Sequence, residues 1–172
     1  QDVQEGLLQG QIAVEFTQYY DQVDSSYKFA ALLVKPNLEF PQFIPLCSKE
    51  QLTTFLQENH PGEIANARIL YQWLWHPLVA HLGNSQEVFY STSGILNEIP
   101  FHTLVSSERN QPLKFVMDRF DVHRLTSTRY LYAGFNKSLF ESEQPTVSLV
   151  GGVDFYNLPS TTLAQTSSRK KR

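Results

Sequence analysis

The chain has 172 residues, 41% hydrophobic and 13% aromatic, which is about one domain's worth of length with apolar mass for one core and excludes global disorder. Its net charge is −3, and four of its 14 Lys and Arg residues crowd at the very end, as Arg169, Lys170, Lys171 and Arg172. The body is therefore acidic, which excludes a surface of clustered Lys and Arg against phosphates, so no nucleic-acid partner is expected. The single cysteine, Cys47, rules out an intrachain disulfide and suits a reducing cytoplasm, and no apolar run approaches the ~20 residues that span a bilayer, so no membrane partner is expected.

In chain order, the polar opening "QDVQEGLLQGQ" lacks the basic-then-apolar pattern of a signal peptide. It also lacks a starting Met, which reads as a piece cut from something longer. "AVEFTQYY" (13–20) and "YKFAALLVKPN" (27–37) read as strands joined by the polar loop "DQVDSS". "PQFIPLC" (41–47) is a third strand, placed at a sheet edge by Pro41 and Pro45 because proline cannot donate to a ladder. Ser48 and Gln51 have the spacing of a capping box and start a helix over 49–58. After the break "NHPGE", a second helix begins near Glu63, with Ile64, Ala67, Leu70 or Tyr71, Leu74, Leu78 and Leu82 on one buried face. Pro77 kinks it or starts a new helix, and Gly83 stops it.

"EVFYSTSG" reads as a short buried strand, followed by "ILNEIPFHTLV" and a polar loop. "KFVMDRFDVHRLTSTRYLYAGF" reads as a strand, a turn at Ser127 and a short helix. "TVSLVGGVDF" (146–155) is apolar on both faces, as in the middle of a covered parallel sheet. The remainder reads as loop.

Local spacing offers little chemistry. His60, His76, His81, His102 and His123 form no metal motif, and with one cysteine no zinc cluster of the usual kind is expected. Ser91 and Ser93 lack the Gly-x-Ser-x-Gly elbow. Cys47 sits on an apolar stretch and reads as a small core residue. The "VGG" at 150–152 lacks the further glycines of a phosphate cradle. No complete catalytic set and no cofactor site emerges.

The order of parts nevertheless resembles the CHAT domain family, caspase-related cysteine proteases often found behind TPR repeats. "LYQWLWHPLVAHLG" is similar to the family helix that leads into its core sheet. "VFYSTSGILNEIPFHTL" is similar to the next block, with Gly94, Leu96, Pro100, Phe101 and Leu104 matching and Thr92-Ser93 standing where Pro-Asp is usual. "FVMDRFDVHRLTSTRYL" resembles a short strand pair ending in a serine and a helix start. "TVSLVGGVDFYN" resembles the strand whose end approaches the active site, and the early hairpin resembles the one that precedes these blocks.

The resemblance implies an α/β fold: a caspase-like three-layer α/β/α sandwich with a mostly parallel central sheet, preceded by the hairpin and present here as a partial domain over 1–159. Residues 160–172 are then a flexible basic loop or processing tail. In this picture Trp73 and Trp75 fill the helix–sheet seam, while Gly94 and Pro100-Phe101 pin a corner of the core. The family's His–Cys dyad follows the "LVGG" strand, so no catalytic residue transfers to any position here. The implied partner is the C-terminal half of the same protease carrying His and Cys. A protein substrate and an attached TPR or other sensor domain in a bacterial defence or cell-death pathway complete that picture. Arg172, ending "RKKR", reads as a cleavage site. Asp154 reads as a substrate-binding carboxylate favouring Arg or Lys, or as a turn-starting residue. Two rivals stay open: a non-catalytic CHAT-like scaffold, and an unrelated α/β ligand-binding domain with its pocket at the "VGG" strand end.

Overall fold

The computed structural model describes residues 2–132, all of which fall within one compact unit. The expected strand at 146–155, Asp154, Arg172 and the boundary at 159 lie outside the described residues. A one-turn helix α1 (Asp2–Glu5) precedes β1 (Gln11–Asp21) and β2 (Ser26–Val34). Then come β3 (Gln42–Ser48), α2 (Lys49–Glu58), α3 (Ile64–Leu70), a π-helical turn (Tyr71–Trp75) and α4 (His76–Leu82). After β4 (Glu87–Ser91) the chain makes 3-10 turns at Gly94–Glu98, Phe101–Thr103 and Val116–Asp118, then β5 (Asp121–Leu125) and a last 3-10 turn, Thr128–Leu131.

The fold is α/β around one five-stranded sheet of order β3-β2-β1-β4-β5. β1, β4 and β5 run parallel, while β2 and β3 are antiparallel additions, so the sheet is mixed among the described residues. The hairpin does not stand apart: β1 is the central strand. Period-two alternation explains why. Ile12, Val14 and Phe16 of β1 share a face with Phe29, Ala31 and Leu33 of β2 and with Val88 and Tyr90 of β4, all buried. Pro45 does fall on an edge strand, β3, where it faces Ala30 next to a register shift.

The covering layer comes from α2 to α4. Ser48 caps α2, its Oγ accepting the Gln51 backbone N–H at 3.1 Å, which satisfies one amide that the first turn would otherwise leave orphaned. Leu70, Leu74, Leu78 and Leu82 are wholly buried, but Ile64 is 52% exposed because α3 begins beyond the sheet.

Pro77 lies in the first turn of α4, a helical segment that starts at His76 after the π turn, in line with the expected new start at this proline. It lacks an N–H and its ring would strike the carbonyl four residues back, that of Trp73. The π turn widens the helix just there, with the His76 N–H reaching the Tyr71 carbonyl. Gly83 then ends α4 with φ +58°, a backbone region that favours glycine.

Trp75 fills the helix–sheet seam as expected. It is 0% exposed and packs edge-on to Tyr90 and tilted against Phe101 and Phe120. Trp73 does not join it there: its ring meets Phe55 of α2 at 5.1 Å, since residues two apart on a helix point to different sides. Where the resemblance implies a strand pair within 115–131, the described residues form a single strand, β5. Asp118 accepts the Phe115 N–H at 2.7 Å and folds that stretch into a 3-10 turn instead.

Candidate functional site

In a parallel sheet the carboxyl ends of neighbouring strands converge, and loops leaving them can bring distant side chains together. Here Glu15 of β1, Ser91 of β4 and Leu125 of β5 lie in one row across the sheet. Two clasps tie that end. On the helix-covered face, Arg124 donates from Nη2 to Asn97 Oδ1 at 2.8 Å and to Thr92 Oγ1 at 3.2 Å, and Thr92 donates to the same Asn97 oxygen at 2.7 Å. Gly94, φ +58°, turns the chain sharply enough to fold Asn97 back over Thr92. On the opposite face, Thr128 donates from Oγ1 to Glu15 Oε2 at 2.7 Å, anchoring the chain that leaves β5.

Beneath the first clasp lies a cavity of about 280 Å³, bordered by Tyr90, Asn97, Pro100, His102, Val122 and Arg124. Phe101, between the lining residues Pro100 and His102 in sequence, is wholly buried in the core and 4.6 Å from the Phe16 ring. Burial pushes the Tyr90 hydroxyl above its ordinary value, with Arg124 opposing in part, so Tyr90 offers a neutral hydroxyl and Arg124 a fixed cation. Such a pocket can bind and orient a polar group. It holds no nucleophile.

The nucleophile candidates are placed elsewhere. Cys47 lies in β3, at the far edge of the sheet from β5, and burial pushes its thiol up to about 11, the reverse of an activated thiolate. Ser93 donates to the Phe16 carbonyl at 3.5 Å. Ser91 is 0% exposed, and its hydroxyl has no partner among the described residues. Of the histidines, His60 caps the Gly62 N–H through Nδ1, His76 packs near the Tyr71 ring, His102 borders the cavity and His123 stands on β5 beside Glu87. None precedes a glycine, and none meets Cys47. The structure thus brings together Arg124, Asn97 and Thr92, which sequence spacing did not single out. The only local cue was the Thr-Ser-Gly break after a strand.

At the opposite, amino ends of β4 and β5, Glu87, Asp121 and His123 converge from two strands. This grouping is also absent from any local motif, apart from the Asp-x-His spacing that puts two side chains on one face of a strand. Among the described residues no helix is long and apolar enough to cross a membrane.

No curated protein matches the chain. A family model, the CHAT domain, matches residues 65–169, from α3 through β4, its 3-10 corner and β5. With parallel strands ending in a clasped loop cluster over a helix-backed core, and with that match across more than half its length, the chain belongs to the CHAT domain family, a caspase-like family.

Proposed function

We propose that the chain forms the N-terminal half of a caspase-like cysteine endopeptidase acting on proteins, with its His–Cys dyad contributed by sequence beyond residue 172. The family match over 65–169 carries this reading. It is supported by a Cys47 thiol held protonated by burial and by the absence of any His–Cys pairing among the described residues. The carboxyl-end loops then act as a frame: Arg124, Asn97 and Glu15 hold the strand tips in place while the reactive groups arrive from the continuation.

Within this reading Asp154 lines the pocket for the substrate side chain before the cut and selects Arg or Lys by a charge-assisted contact. The chain is cut after Arg172, and an attached TPR or other sensor domain governs activity in a regulated defence or cell-death response. The test is peptide and protein cleavage by the polypeptide extended through its downstream sequence. Thiol-dependent cleavage that persists in Cys47→Ala is the expected result, with Asp154→Asn lowering the preference for basic residues and mass spectrometry finding a fragment ending at Arg172. An extended protein that is folded but inert toward every substrate would instead favour a non-catalytic scaffold.

A further inference from the structure

We propose that Glu87, Asp121 and His123 form a zinc-class divalent metal site at the amino ends of β4 and β5, at the opposite end of the parallel strands from the clasped loops. Register builds the cluster. Glu87 lies directly across from Asp121, and Asp121 and His123, two apart on β5, project from the same face. His123 Nε2 stands 3.3 Å from Glu87 Oε1 and 3.4 Å from Asp121 Oδ1. One ligand atom from each of the three residues lies within 4.8 Å of the others.

Three observations point beyond a chance meeting of charges. First, the two spacings from His123 Nε2 fit. A tetrahedral ion with bonds of about 2.1 Å to nitrogen and oxygen has ligand–ligand edges of about 3.4 Å, whereas an octahedral ion of the same bond length needs about 3.0 Å. Second, the ligands are already held. Glu87 Oε2 accepts from Gln11 Nε2 at 2.7 Å, leaving Oε1 free to coordinate, and the Phe89 ring stacks on the His123 imidazole at 4.9 Å with an interplanar angle of 23°. Outer contacts of this kind orient metal ligands. Third, Nε2 is buried and has no hydrogen bond. It faces two carboxylates opposed across a parallel pair, where like charges are unfavourable. A cation at their centre removes that conflict.

Asp121 is 75% exposed, so an ion can enter, and a fourth position is left for water. Imidazole with two carboxylates suits zinc over magnesium, which takes oxygen ligands and keeps its waters. Bound there, the ion ties β5 to β4 beside the Phe89–His123 ring stack.

The competing state is a proton on Nε2 making a simple ion pair, and titration distinguishes the two. The untagged, metal-stripped chain is titrated with zinc by calorimetry and with cobalt by visible absorption, alongside magnesium. The expected result is one saturable zinc site, an intense four-coordinate cobalt spectrum and little response to magnesium. Asp121→Asn, an exposed change that leaves the core untouched, and His123→Ala should both abolish the spectrum. Gln11→Ala should weaken binding about tenfold through loss of the outer contact, and Cys47→Ser should leave it intact. Circular dichroism checks that each variant is folded. No saturable zinc or cobalt binding overturns the site, and so does binding that survives in a folded Asp121→Asn or His123→Ala protein. These readouts do not depend on peptidase activity, so the proposal can fail or stand independently of the endopeptidase reading.

Discussion

Cys47 shows how one half-buried group can be assigned by elimination. Its thiol lies among core side chains, and burial holds it protonated up to about 11. A thiol pKa raised in the folded state stabilises the fold fully below the unfolded value. That contribution is lost as pH rises through the folded one. Alkaline unfolding should therefore steepen as pH approaches 11, and Cys47→Ala should blunt it in part. The remainder belongs to Tyr71 and Tyr90, whose hydroxyls burial also pushes up. Alkylation near pH 7 should be slower than that of free cysteine by about tenfold or more, and rapid labelling there would contradict the assignment. The two tryptophans differ in the same measurable way. Trp75→Ala should cost about 3–5 kcal/mol, as for a large aromatic removed from a packed core. Trp73, partly buried against α2, should cost clearly less, and equal losses in denaturant unfolding would mean that the seam has been misplaced.

At the scale of elements, glycines decide where the frame can bend. An added Cβ at Gly94 meets open space, so Gly94→Ala should cost only the left-handed backbone penalty, about 1–2 kcal/mol. Gly6 is the opposite case: a Cβ there would collide with the Leu131 carbonyl. Gly6→Ala should therefore push α1 off the last 3-10 turn, seen as faster hydrogen exchange at both segments and a loss of about 1–3 kcal/mol. Unchanged exchange would contradict the contact. These elements divide by how much of their cause is local. The hairpin, the Ser48 cap, the edge position of Pro45 and the Gly83 stop were legible because alternation, capping and proline chemistry act within a few residues. The π turn was not, since it answers a clash between Pro77 and a carbonyl that only a continuous helix creates. Nor was the 3-10 turn at Val116–Asp118, where one Asp118 hydrogen bond overrode an apolar stretch that read as a strand.

At the scale of the whole molecule, the α/β class was implied by the family resemblance, but the placement of β1 between β2 and β4 was not. Strand order is set by which faces bury together over long separations in sequence. The same limit hid both side-chain groupings. Arg124 meets Thr92 and Asn97, and Glu87 meets Asp121 and His123, only because β4 and β5 pair in parallel. Membership of the CHAT domain family over 65–169 takes in β4 and β5, the two parallel strands that carry both groupings. The most direct measurement compares the 1–172 chain with the polypeptide carried on through its downstream sequence, each with and without Cys47→Ala, for cleavage of a protein substrate before and after thiol alkylation. Residues 1–172 should be inert, and the longer protein should cleave in a way that alkylation stops and Cys47→Ala does not. Cleavage by 1–172 alone, or loss of the longer protein's activity in Cys47→Ala, would contradict the account.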